Sequence, residues 1–292
     1  MLLRINRAAT CVRWSPQENK FAVGSGARII SICYFDKDND WWVAKHIKKP
    51  LRSTITCLDW HPNNILLAAG STDYKVRVFS TYVKDIEPKP GPTVWGAKMP
   101  FANLMSELSN SDSGGGWVHS VAFSEDGAQV AWVAHDSSIA VASPKYIVNH
   151  HFINLRMFYC RSGIRKLKYN LLPMVSLVWI DKNSLLAGGH DCVPVSFLLD
   201  ADDNISLGAK FEEEQVNEEP ATPVAAMMLF KAKDRTGELS AVNYKLSTTH
   251  QKQITQLRIV NSDLVSSSGA DGRICLWNFK SAMEEKMQNL KC

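Results

Sequence analysis

Long apolar runs are missing from this 292-residue chain. The longest, at 171–180, falls short of the ~20 residues a membrane-spanning helix needs, so no membrane insertion is expected. A signal peptide is not expected either, because Met1-Leu2-Leu3-Arg4-Ile5-Asn6-Arg7 breaks its apolar character too early. Charge of one sign is equally scarce. The 33 basic and 29 acidic residues leave +4, too little to argue for nucleic acid as a partner. The seven cysteines (Cys11, Cys33, Cys57, Cys160, Cys192, Cys275 and Cys292) are odd in number and lack the close pairs of zinc sites or disulfide frameworks. Free thiols of this kind suit a reduced, cytoplasmic setting. Gly24-Ser25-Gly26 is not a phosphate loop, since no helix or Gly-Lys-Ser/Thr follows it. No motif joins a nucleophile, a base and an anion site, so neither an enzyme nor a bound cofactor is expected.

What the chain has in quantity is one repeated unit. A small-residue turn leads to an Asp, five residues of strand follow, and then a large apolar residue. The pattern runs from Asp73 to Phe79, from Asp191 to Phe197 and from Asp271 to Trp277, with a weaker copy from Asp136 to Ala142. Upstream of the units lie the strand-like runs CVRWSP, CLDWHP, SVAFSE, SLVWID and QLRIVN. Trp14 and Trp60 are 46 residues apart, about one four-stranded blade. The reading is all-β: a β-propeller with five recognisable four-stranded blades. The first unit is degenerate, with Ala27-Arg28 where the Asp belongs. Each turn Asp is expected to accept hydrogen bonds from local backbone donors, and the large residue six positions on to pack between blades. The last unit is the most complete, with His250, Ser267, Asp271 and Trp277 in the order of a buried WD-repeat hydrogen-bond network. A catalytic Ser-His-Asp group is the alternative. It is disfavoured because these residues follow repeat position rather than a shared cleft.

Between the units lie irregular stretches. Residues 87–116 read as a Pro- and Gly-rich loop with one helical turn near 101–108. Residues 144–166 read as a basic, aromatic insertion without turn logic of its own, and its His150, His151 and Cys160 lack the spacing of a metal site. Residues 208–250 read as a second insertion, in which Thr222 caps a helix at 223–235 that begins on Pro223. That helix either lies flat on its blade or projects Met227, Met228, Leu229 and Phe230, with Lys231, Lys233 and Arg235, toward a partner. Met283, Met287 and Leu290 place a short amphipathic helix at 281–290, expected to pack on the propeller. The basic run 46–52 reads as a solvated blade edge.

The stretches INRAATCVRWSPQENKFAVGSGARIISICYF, NDWWVAKHIKKPLRSTITCLDWHPNNILLAAGS, WGAKMPFANLMSE, GGGWVHSVAFS and GADGRICLWNFK go further than a generic repeat. They resemble the WD-repeat subunit family of the actin-related protein 2/3 complex, over most of 2–143 and of 165–292. The resemblance implies a seven-bladed ring acting as a non-catalytic scaffold in the cytoplasm and actin cytoskeleton, supporting actin nucleation and branched filaments. It also implies partners: the other subunits of the complex, the actin filament and nucleation-promoting factors. In the family a projecting helix lies before the last blade, which favours the partner-facing reading of 223–235. Against the family pattern the chain reads as a single, N-terminally truncated and incomplete propeller domain over 1–292, with an orphaned strand at 2–5. The alternatives are a WD-repeat adaptor of another complex, or a truncated isoform without function.

Overall fold

The computed structural model describes residues 3, 5–109, 115–144, 163–200, 204–212, 248–261 and 263–279. These residues form five antiparallel sheets. The first is β1 (Ala9–Trp14), β2 (Lys20–Ser25), β3 (Ile30–Asp36) and β4 (Trp41–Ile47). The second is β5 (Ile55–Trp60), β6 (Leu66–Ser71), β7 (Lys75–Ser80) and β8 (Leu104–Ser109). The third is β9 (Val118–Phe123), β10 (Val130–Ala134), β11 (Ser138–Ala142) and β12 (Ile164–Lys168). The fourth is β13 (Met174–Asp181), β14 (Ser184–Gly189), β15 (Val195–Leu199) and β16 (Ile205–Lys210). The fifth has three strands among the described residues, β17 (Ile254–Ile259), β18 (Leu264–Gly269) and β19 (Ile274–Asn278). Each sheet is a plain meander, and the first strands pack in succession: β1 on β5, β5 on β9, β9 on β13, β13 on β17. This is a propeller arrangement of blades about an axis lined by those inner strands.

The core therefore lies between blades. Ile30, Ile32 and Ile47 of the first blade meet Ile55, Leu58, Leu67 and Phe79 of the second. Leu66, Val76 and Val78 of the second meet Val121, Val130 and Trp132 of the third. Val133 and Ile139 of the third meet Leu177, Leu185 and Phe197 of the fourth, and Leu186 meets Ile254, Leu257 and Val265 of the fifth. Each such side chain, taken fully out of water, contributes about 1.5–3 kcal/mol.

Two further devices repeat. The start of each inner strand carries a one-residue irregularity: Thr10, Thr56, His119, Val175 and Thr255 stand unpaired between registered neighbours. Thr10 and Thr56 turn this to use by donating Oγ1 hydrogen bonds to the next blade, at the carbonyls of Ile55 and Val118, both 2.5 Å. Opposite the bulges the next blade comes so close that only glycine fits. A Cβ on Gly24 would stand 2.8 Å from Ile55 Cγ2, and one on Gly70 2.6 Å from Val118 Cγ1. Lower on the same strands, the Trp60 indole donates to the Arg13 carbonyl (3.0 Å) and the Trp179 indole to the Ala122 carbonyl (3.1 Å).

Several expectations need correction. The helical turn near 101–108 is replaced by β8, paired with β7 from Lys75↔Ser109 to Phe79↔Leu104. Its Leu, Met and Glu are helix formers, and the long-range ladder overrides that preference. The insertion at 144–166 is too wide, because Ile164, Arg165 and Lys166 pair with β11 at Ala142, Val141 and Ala140. The insertion at 208–250 is likewise too wide at both ends: Gly208 to Lys210 end β16, and His250 is fully buried. Of the expected strand at 2–5, Leu3 and Ile5 are described and neither is in a sheet. The helices at 223–235 and 281–290 lie outside the described residues, as do His150, His151 and Cys160.

Candidate functional site

The repeat Asp residues all sit in the turn between the second and third strands of their blades, and each turn needs one left-handed residue. It follows the Asp each time: Tyr74 (φ 67°), Ser137 (φ 54°), Cys192 (φ 63°) and Gly272 (φ 76°). In the first blade Arg28 (φ 62°) holds the same place after Ala27. Only Gly272 adopts this conformation without a steric cost, so the turns are held by what surrounds them.

In the fifth blade the holding group is a chain of polar side chains. Trp277 Nε1 donates to Ser267 Oγ at 2.7 Å, and His250 Nε2 lies 2.7 Å from the same oxygen. His250 Nδ1 lies 3.2 Å from Asp271, whose carboxylate also accepts the N–H groups of Gln251 (2.8 Å) and Arg273 (3.1 Å). Burial works against the Asp271 charge, but those two N–H donors and His250 together bring its carboxyl down to about 2. The Ser-His-Asp set cannot attack a substrate. Ser267 and His250 are fully buried, and the serine hydroxyl is shared between an indole and an imidazole.

Elsewhere the turn Asp meets cations or a distant amide instead. Asp73 accepts Arg77 Nη2 (2.7 Å) and the Ser71 hydroxyl; Arg77 Nε in turn reaches Glu107 Oε2 (2.8 Å), which shares its carboxylate with Lys75. Asp136 accepts Ser138 Oγ (2.5 Å) and Lys166 Nζ (3.0 Å). Asp191 accepts the N–H of Leu172 at 3.0 Å. The expected local backbone donor is present at Asp271 as the Arg273 N–H, while the Gln251 N–H comes from 20 residues away. Phe79 and Phe197, six residues beyond their Asp, are fully buried between blades, and Trp277 is buried beside Phe211 of the fourth blade, their ring centroids 6.4 Å apart.

The inner strands bring together residues that the sequence reading passed over. Asp59 accepts the Phe123 N–H at 2.8 Å, with Arg13 and Arg258 acting on it from the first and fifth blades. Burial pushes its carboxyl up to about 6, the Phe123 N–H and the arginines only partly opposing. Their sole signal was a charge recurring before the last residue of CVRW, CLDW and QLRI.

Two faces are apolar and open. On the first blade Trp14 (55% exposed) stands beside Phe21 and Trp42, with Phe35 on Trp42 at 5.7 Å. On the fifth, Ile274 is 79% exposed beside Leu276. Patches of this kind mark contact surfaces. Of the basic run at 46–52, Ile47 and Leu51 are buried while Lys48, Lys49 and Arg52 are exposed. A groove beside Pro88, Pro90 and Thr93 has Asn64 and Glu87 at its base, both already bonded to each other at 2.6 Å. Among the described residues no three His, Cys, Asp or Glu converge as a metal site, and no helix is long and apolar enough to cross a membrane. The seven residues proposed from sequence to face a partner, Met227 to Lys231 with Lys233 and Arg235, lie outside the described residues.

Residues 45–80 and 243–278 match the family described as WD domain, G-beta repeat. The full chain is 45% identical to actin-related protein 2/3 complex subunit 1A-A of Xenopus laevis, covering 75% of that protein. It is 40% identical to subunit 1 of the same complex from Schizosaccharomyces pombe, with 95% of this chain and 74% of the relative aligned. Subunit 1B from Arabidopsis thaliana is 31% identical over 98% of this chain and 74% of its own length.

Proposed function

The chain belongs to the family of actin-related protein 2/3 complex subunit 1, and from that premise we propose that it is a non-catalytic propeller scaffold of that complex, supporting actin nucleation and branched filaments. The observation that carries the reading is similarity over the whole chain, rather than over repeats alone, to relatives from frog, yeast and plant. The geometry supports it in kind. The polar residues most suggestive of chemistry, His250, Ser267 and Asp271, are consumed in holding a turn, whereas broad blade faces are free for contact.

Within the same reading, residues 1–292 belong to one propeller domain of the seven-bladed kind. Its partners are the other subunits, the actin filament and nucleation-promoting factors, and its place is the cytoplasmic actin cytoskeleton. Met227, Met228, Leu229 and Phe230, flanked by Lys231, Lys233 and Arg235, form the apolar and basic contact of the segment between 212 and 248 with a partner. The test is affinity purification of the tagged chain from cells, read by quantitative mass spectrometry. Recovery of the two actin-related proteins at near-equal amounts supports the reading; recovery of an unrelated complex alone overturns it.

A further inference from the structure

In four of the five blades the bulged residue of the inner strand is Thr or Val; in the third it is His119. A bulge re-aims its side chain out of the ladder. Here the ring is aimed at the turn between β10 and β11, where His119 Nε2 lies 3.0 Å from His135 Nδ1. The two rings meet edge to face, with centroids 5.2 Å apart. Trp117, 52% exposed, stacks on His135 at 5.9 Å, and its carbonyl accepts the backbone N–H of His135 at 2.9 Å.

Two neutral imidazoles satisfy this contact with one N–H donor and one bare nitrogen acceptor, and a single added proton keeps one donor facing one acceptor. A second proton leaves two donors and two positive charges 3.0 Å apart with no acceptor between them. We propose that His119 and His135 form a proton-sharing pair that opens on its second protonation, making the Trp117 surface of the third blade responsive to pH.

Neighbouring polar and charged groups come from three elements. From the β14–β15 turn comes His190, a third imidazole. Asp136, next to His135, is engaged by Ser138 and Lys166, and Asp191, next to His190, accepts the Leu172 N–H. On β5 the Thr56 hydroxyl is given to the carbonyl of Val118, the residue before His119. Burial, then the nearby His135 and His190, lowers His119 from the ordinary histidine range.

The test is a nitrogen-15 imidazole titration of the full chain by NMR between pH 4.5 and 8. The expected result is a two-step response of the His119 ring, with the Trp117 indole resonance moving in the lower step. His135→Gln should merge the His119 response into one step nearer the ordinary midpoint of about 6.5. A single-step response of His119 in the unaltered chain, with Trp117 indifferent, would overturn the proposal without reliance on any variant.

Discussion

Lys20 Nζ and Glu87 Oε1 form an ion pair of 2.7 Å with both side chains almost fully out of solvent. It joins β2 to the loop after β7 and is closed by further bonds. Lys20 also donates to the Thr81 carbonyl (3.1 Å), while Glu87 accepts the Val83 N–H (3.0 Å) and Asn64 Nδ2 (2.6 Å). Burial lowers the lysine pKa, and Glu87 pulls it back up. Glu87→Ala strands a buried ammonium and should cost about 3–5 kcal/mol in urea unfolding. Replacing both partners by apolar residues of similar size should cost much less, because neither charge is then left unpaired.

Asp59 should make the propeller less stable as pH rises. Its carboxyl sits at about 6 when folded against an ordinary 3.8, so the folded state binds more protons between those values. Stability from this group is full below pH 3.8 and is lost as pH rises through about 6. The limiting slope is about 1.4 kcal/mol per pH unit. Asp59→Asn should flatten that slope, as read by chemical unfolding from pH 4 to 7.

Asp271 should act in the opposite sense. With its carboxyl drawn down to about 2, its contribution is present above the ordinary 3.8 and disappears as pH falls toward 2. Asp271→Asn should remove this acid-limb loss, read by thermal melts at pH 2–5 compared with pH 7.

The cross-blade indoles give a matched pair of substitutions and a control. Trp60→Phe and Trp179→Phe each lose one cross-blade hydrogen bond, part-buried at Trp60 and buried at Trp179, and should destabilise by about 1 kcal/mol. Trp14→Phe occupies the same strand position on the open face of the first blade and should stay within about 0.5 kcal/mol. Melting temperatures of the three variants decide this.

Replacing Met227, Met228 and Phe230 together by Ser should weaken branched nucleation in a reconstituted actin assay while the propeller melts as before. Unchanged branching would remove the contact role assigned to that segment.

The blades were legible because their signals are local: an Asp, five strand residues and a large apolar residue, repeated. β8 was not. Leu104, Met105, Glu107 and Leu108 favour a helix in isolation, and the strand exists because Glu107 meets Arg77 and Lys75 across thirty residues of chain or more. The left-handed turns were hidden for a similar reason. Gly272 advertises its conformation, whereas Tyr74, Ser137 and Cys192 are forced into it by the paired strands on either side. His250, Ser267, Asp271 and Trp277 were readable as a set, but Asp59 and the His119–His135 pair arise only when separate blades and turns meet around the axis.

The most direct test of the scaffold role is reconstitution of the complex with this chain as the only subunit 1, counting branches per length of actin filament by fluorescence microscopy. Co-elution of the chain with the other subunits, and branching that falls away when it is left out, is the result predicted. Failure to co-elute, or equal branching without it, would contradict the account.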